Sequence, residues 1–414
     1  MKMMERSVVI IGAGGAGLVG ALVAASRGDR VLVLERNRKA GIKLLISGGG
    51  KCNVTHEGTE EEILSAFPVA QRRFLKPAMY RYSGEDVRSF LKEQGVPTFA
   101  RQNGRVFPES GMADDVVEAF LHALRRVGAE IRCNTRVMQI LVDDHGISGV
   151  VAGGSTIETR AVLVATGGVS YPKTGTTGDG ISWAQLLGHS IVPLCPALAP
   201  IRLEPELPAS WRGVALRNGA LSVYVGRERL HRSRGDVLFT HEGISGPGAL
   251  DCSNVAAAHI GAVMRWDFFP DMDEGVVDDM LCEGLARERG RRIQSHLFES
   301  MPNRIVPTIL TSIGVPPETR GYSLTSSQRK AVVQMLKGWE IGRVKEVNIE
   351  RGEVTAGGVA LPEVDPHTMM SRKVRGLFFA GEVLDIDGPI GGYNLQAAFS
   401  MGALAGDHLA VSPA

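Results

Sequence analysis

Val8-Val9-Ile10-Ile11-Gly12-Ala13-Gly14-Gly15-Ala16-Gly17, followed by Val31-Leu32-Val33-Leu34-Glu35, is the stretch on which the fold turns. The apolar, β-branched run 8–11 reads as a buried parallel strand. The glycines at 12, 14 and 17 fit G-x-G-x-x-G, a helix is expected over 16–26, and a second strand over 31–34 ends on an acid. In a dinucleotide-binding βαβ unit Gly12 makes the tight turn, Gly14 lets the backbone approach a pyrophosphate, and Gly17 lets the helix lie close to the sheet. The pyrophosphate then faces the positive helix end, and Glu35 accepts from the adenosine ribose hydroxyls. An acid at that place favours FAD or NAD and repels the extra phosphate of NADP. A secretory segment is the rival reading, since Lys2 and Arg6 precede an apolar run. Five glycines within 8–25, no small-residue cleavage site and an immediate strand argue against export or a membrane anchor.

Outward from this stretch, 414 residues allow two or three domains with sizeable cores. Hydrophobic content of 44% and charged content of 22% are ordinary for a globular protein, and a net charge of +1 gives no field for nucleic acid. The basic run 287–292 is expected on a solvated helix face. Five scattered cysteines without C-x-x-C suit a reducing cytoplasm rather than a disulfide framework. No His/Cys spacing suggests a metal.

Along the chain, Gly41-Ile42-Lys43-Leu44-Leu45-Ile46-Ser47-Gly48-Gly49-Gly50-Lys51-Cys52-Asn53 carries three successive glycines. They point to backbone lying against a flat or anionic group rather than to a regular element. It is not a Walker A loop, because Leu45 stands where the first glycine is required and Cys52 where magnesium needs Ser or Thr. Gly243-Ile244-Ser245-Gly246-Pro247 is likewise no nucleophile elbow. Helical period marks 60–67, 84–94 and 112–126, and strands are expected over 130–141, 148–152 and 156–165. The last runs into Ala165-Thr166-Gly167-Gly168 and then a Gly/Thr-rich loop, 169–180. Short strands with turns dominate 192–270, and helical period dominates 271–341. The end of the chain holds a second cluster: Gly376-Leu377-Phe378-Phe379-Ala380-Gly381-Glu382, then Gly388-Pro389-Ile390-Gly391-Gly392-Tyr393-Asn394-Leu395-Gln396 and an Ala-rich helix. Gly391-Gly392 before a helix aims free N–H groups at a developing anion, which on a flavin is the reduced pyrimidine ring.

GAGGAG at 12–17, KLLISGGGKCN at 43–53, ATGGVSYPKTGTTGDG at 165–180, FTHEGISGPGAL at 239–250 and FAGEVLDIDGPIGGYNLQAA at 379–398 together resemble the BaiN/RdsA-type, or aminoacetone-oxidase-like, FAD-binding flavoproteins over nearly the whole chain. The resemblance implies an α/β fold. In it, a Rossmann-like FAD-binding domain is formed by both chain ends, 1–191 and 343–414. A β-barrel-like domain, 192–270 with part of 342–354, is inserted in it and carries a helical subdomain, 271–341. It implies that Gly12, Gly14, Gly15, Ala16, Gly17, Glu35 and Arg36 hold the adenosine diphosphate and that Val137 meets adenine through its backbone. Lys43, Leu44, Gly49, Gly50, Asn53, Thr166 and Gly167 would line the flavin. Gly381, Glu382, Gly392, Asn394 and Leu395 would hold its ribityl and pyrimidine side. Family members usually carry Arg where Ile42 and Lys51 stand here, and an acid in place of Met370.

With one G-x-G-x-x-G-to-acid unit visible, a second Rossmann domain for NAD(P)H is not expected. Three readings follow. One is a FAD-dependent oxidase of a small amine of aminoacetone type that yields hydrogen peroxide. Another is a NAD(P)H-dependent reductase of an activated C=C bond, which needs an acid such as Tyr171 or His56. The last is a non-catalytic flavin-binding accessory. Lys51 and Tyr171 are the candidates for direct chemistry, and Cys52 is either a redox thiol or a packed hydrophobe. The expected partner is a small molecule, with neither nucleic acid nor membrane, and the sequence leaves the oligomeric state open.

Overall fold

The computed structural model describes residues 7–288, 290–297 and 301–409. They pack as two compact units, one reaching Leu194 and resuming at Val354, the other Cys195–Glu353.

In the first unit five parallel strands lie in the order Leu377–Phe379, Ala161–Val164, Ser7–Ile11, Arg30–Leu34, Glu130–Arg132. The central runs are apolar at successive positions because both faces are covered. Helix Gly15–Ser26 follows the first strand and packs against the terminal helix Tyr393–His408. Small residues set that approach: a Cβ on Gly402 would stand 2.2 Å from Ala16 O, and one on Gly406 2.7 Å from Gly20 O. The two ends of the sequence are thus locked backbone to backbone, with Phe399 filling the gap beside Gly15.

Two expected strands divide. The segment 130–141 is Glu130–Arg132 in the parallel sheet and Val137–Asp143 in a separate antiparallel sheet. Asn134 breaks the run by taking φ +53°. The segment 156–165 is Ser155–Glu158 and Ala161–Val164, parted where Thr159 Oγ1 accepts from Ala161 N at 3.2 Å. Helix Val69–Arg81 escaped the sequence reading, its period blurred by Arg72, Arg73 and Pro77.

The second unit holds eight antiparallel strands. Their order is Ala215–Leu216, Val237–Phe239, Gly243–Ser245, Ile201–Glu204, Trp339–Val347, Val263–Asp267, Ala220–Val225, Glu228–Arg234. Helix Pro247–Ala258, absent from the sequence reading, crosses this sheet. Its Ala, Gly and Ser positions leave no amphipathic period to read. Helices Glu274–Arg287, Ile293–Leu297, Val306–Ser312 and Ser326–Gly338 leave the sheet after Asp267 and return at Trp339. They share one core with it, in which Val277, Leu281, Ile309 and Leu336 join Trp266 and Trp339. The basic run 287–292 does not ride a helix face: the helix ends at Arg287, and residue 289 lies outside the described residues. So do Lys2 and Arg6. Among the described residues no helix is long and apolar enough to cross a membrane.

Candidate cofactor and active site

The glycines of the first turn divide by function. Gly12 sits at φ +102°, where a Cβ would stand 2.5 Å from Ala165 O, and a Cβ on Gly17 would stand 1.9 Å from Gly12 O. Both are demanded by the chain's own packing. Gly14 is different: a Cβ there meets nothing within 4 Å. Helix Gly15–Ser26 has no side-chain cap and no acid in its first turn, so its leading N–H groups stay available to an anion. Open space beside an uncapped helix end is what a pyrophosphate requires.

Glu35 is 7% exposed, and its carboxylate accepts from Ala13 N at 2.9 Å and Asn37 N at 2.8 Å. It therefore fixes the glycine turn while each oxygen keeps a lone pair for a ribose hydroxyl. Thr135 N donates to Glu35 O at 2.8 Å, which brings the turn before Val137 to the same edge; Val137 is buried. Arg36 turns away to Thr177 Oγ1 and to Asp179, which Arg136 also grips at 3.2 Å through both oxygens.

The triple glycine is irregular backbone, as its sequence suggests: the helix that starts at Ile42 loses helical angles at Ser47, Gly48 and Gly49. Gly48, Gly49 and Gly50 all have positive φ. Gly48 is pressed against Asn53 N and Phe107, whereas a Cβ on Gly49 would meet nothing within 4 Å. The backbone thus turns a bare face outward at Gly49. Just beyond, Asn53 Oδ1 is buried without a hydrogen-bond partner among the described residues, as is Thr166 Oγ1. An orphaned buried acceptor is costly unless a ligand or water satisfies it, and an N–H-bearing ring edge would suit Asn53. Thr166 Oγ1 packs on Gly180, where a Cβ would stand 2.2 Å from it.

A polar knot joins the motif segments. Lys43 Nζ donates to Glu382 Oε2 at 2.7 Å and to Ser170 Oγ at 2.8 Å; Ser170 Oγ donates in turn to Glu382 Oε1 at 2.9 Å. Thr355 N donates to the same Oε1 at 3.1 Å, and Thr355 Oγ1 accepts from Val169 N and Ser170 N. Ser170 and Thr355 are fully buried, and both were missed from sequence, although each stands beside a quoted glycine motif. Leu44, one residue on from Lys43, is core.

On the other side, Gly381 (φ +82°) leaves 3.1 Å between its missing Cβ and Ala16. Gly392 (φ +101°) opens helix Tyr393–His408 without a side-chain cap, pressed on Thr55, whose carbonyl a Cβ would reach at 2.4 Å. The Asn394 side chain is not free for a ligand: Oδ1 accepts from Gly388 N and Nδ2 donates to Gly388 O, both at 2.8 Å. What Asn394 and Leu395 offer is backbone in the first helical turn. Lys51 is exposed, and Tyr171 is 37% exposed at φ +48°. Cys52 is wholly buried, and burial pushes its thiol up to about 11, which suits the packed-hydrophobe reading. Met370 bridges to Phe378 through its backbone, away from these glycines. Among the described residues no group of His, Cys, Asp and Glu could hold a metal.

The uncapped helix ends, the open space at Gly14 and Gly49 and the orphaned Asn53 oxygen fit a bound FAD. Fold and site together define a FAD-dependent oxidoreductase. Residues 6–408 match the HI0933-like protein Rossmann domain, and the chain belongs to that family, the BaiN/RdsA group. It is 30% identical to the ribosomal RNA dihydrouridine synthase of Escherichia coli strain K12, over 96% of each chain. It is also 30% identical to the 3-dehydro-bile acid delta(4,6)-reductase of Clostridium scindens, over 98% of this chain and 99% of that one. The crystal structure of 3-ketosteroid delta1-dehydrogenase from Sterolibacterium denitrificans aligns with a TM-score of 0.53 at 13% identity, covering 98% of this chain and 99% of that one. That likeness speaks to fold alone.

Proposed function

We propose that this protein reduces a carbon–carbon double bond conjugated to a carbonyl group in a small molecule, with NAD(P)H as the source of electrons. The observation that supports the reading is the full-length relationship to two proteins, one named a 3-dehydro-bile acid delta(4,6)-reductase and the other a ribosomal RNA dihydrouridine synthase. Charge favours the small molecule over RNA: the whole chain stands at +1, and the most basic strand, Glu228–Arg234, has Arg232 and Arg234 paired to Asp267 and Asp271. Five free cysteines agree with a reducing cytoplasm.

When bound, FAD supplies the two-electron carrier of the reaction. The chain's part is to hold and orient. Gly12, Gly14, Gly15, Ala16 and Gly17 would receive the pyrophosphate, Glu35 the ribose, and Val137 the adenine edge through its backbone. Arg36 would close that side by tying down the 169–180 loop. Lys43, fixed by Glu382, would line the ring system together with Gly49, Gly50, Asn53 and Thr166-Gly167. Gly381 and the Gly392-Asn394-Leu395 helix end would meet the ribityl and pyrimidine side, where N–H groups stabilise negative charge. Incubation with NADPH and an α,β-unsaturated ketone should yield a product heavier by two hydrogens. Hydrogen peroxide from aminoacetone, with no saturated product, would favour the amine-oxidase reading instead.

A further inference from the structure

Resting on that reading, we propose that His56 is the proton donor of the reaction. From Nε2 it would protonate the carbon next to the carbonyl, as the other carbon of the double bond takes a hydride.

The ring is held so that one nitrogen is committed. Nδ1 lies 2.8 Å from Glu57 O, which can only accept, so Nδ1 keeps its hydrogen in both protonation states. Nε2 is therefore the nitrogen left for proton transfer. It makes no hydrogen bond among the described residues, yet it is not one of the buried unpartnered atoms, so it remains reachable. The ring stacks on Tyr393 at 4.7 Å and 17°, and Tyr393 is itself braced edge-on by Phe67 at 6.3 Å.

Two glycines make room for it. A Cβ on Gly104 would stand 2.2 Å from His56 Cε1 and 2.6 Å from Nε2, so only a glycine there leaves Nε2 uncovered, and a Cβ on Gly391 would stand 3.4 Å from Cδ2. The second contact sets His56 against the Gly391-Gly392 turn, the helix end assigned above to the pyrimidine side of the ring system. Thr55, its neighbour, is the residue pressed on Gly392. Glu57 is its chain neighbour and Arg105 its ladder neighbour. Lys51 and Tyr171 lie on exposed turns instead.

The step balances. A reduced nicotinamide is the source of the hydride, two electrons and one hydrogen, which adds to the β-carbon as the C=C π bond breaks. The imidazolium Nε2–H bond breaks, a C–H bond forms at the α-carbon, and the neutral imidazole takes one H+ from the buffered solvent, so that ketone, reduced nicotinamide and one H+ are consumed together. The products are the saturated ketone and oxidised nicotinamide.

The test uses the holoprotein with His56→Gln and His56→Asn, measured without oxygen. FAD affinity of the stripped protein and the rate of flavin bleaching by NADPH should stay within about twofold of wild type, while reoxidation by the unsaturated ketone falls by about 10²–10⁴-fold. Reoxidation at the wild-type rate in either variant overturns the proposal, as does a loss of FAD affinity that matches the loss of rate. A wild-type protein that no unsaturated ketone reoxidises defeats the reductase reading itself, and the proposal with it.

Discussion

Lys43 Nζ stands 2.7 Å from Glu382 Oε2, an ion pair between residues 339 positions apart. It closes the knot through Ser170 and Thr355 that ties the amino-terminal glycine segment to the carboxyl-terminal one. The side chains are 26% and 17% exposed, so solvent compensates a broken pair only partly. Glu382→Gln keeps the shape and removes the charge. Stability should fall by about 2 kcal/mol in urea titration, with weaker FAD binding, and Lys43→Met in the same chain should recover part of the stability. Unchanged stability and FAD affinity in Glu382→Gln would contradict the role given to the knot.

Gly14 and Gly17 should separate binding from folding. Gly17→Ala forces a Cβ to 1.9 Å from Gly12 O, and the protein should express poorly or melt well below wild type. Gly14→Ala meets nothing in the chain, so it should melt near wild type as the stripped protein yet bind FAD at least about tenfold more weakly, a loss of about 1.4 kcal/mol. Calorimetry of the stripped proteins and FAD titration read the two effects apart.

Glu35→Ala removes the acceptor for Ala13 N and Asn37 N, and Asn394→Ala removes both bonds to Gly388. Each should cost about 1–3 kcal/mol and leave the purified protein with less flavin. The mechanisms differ: the first loosens the glycine turn directly, the second frees the 388–392 loop. Full retention of flavin by both variants would remove these positions from the site.

What was legible in the sequence follows from periodicity and from glycine. The βαβ start and the strand–turn–helix at the end could be read because their strands are continuously apolar and their glycines sit where a Cβ would collide, as at Gly12, Gly17 and Gly392. Helix Pro247–Ala258 could not be read, since small residues on every side leave no stripe. The knot was half legible. Lys43 and Glu382 belong to motifs, but Ser170 and Thr355 matter through a meeting of segments 185 residues apart that no local pattern records. Asn394 shows the reverse limit: its motif was recognised, yet its side chain serves the neighbouring loop.

Cys52 gives a pH signature. Burial raises its thiol to about 11 in the folded protein against 9.0, so its contribution to stability is whole below pH 9 and is lost as pH climbs from 9 to 11. The loss should approach about 2.7 kcal/mol and be absent in Cys52→Ala, as pH-dependent urea midpoints would show. At neutral pH the native thiol should resist alkylation until the chain unfolds.

The central claim, reduction of an activated double bond through one bound FAD, is tested most directly by anaerobic stopped flow on the purified holoprotein. NADPH should bleach the flavin, and an α,β-unsaturated ketone added next should restore its colour with stoichiometric formation of the saturated product. Bleaching by aminoacetone but not by NADPH, with colour returning only when oxygen is admitted, would contradict the account.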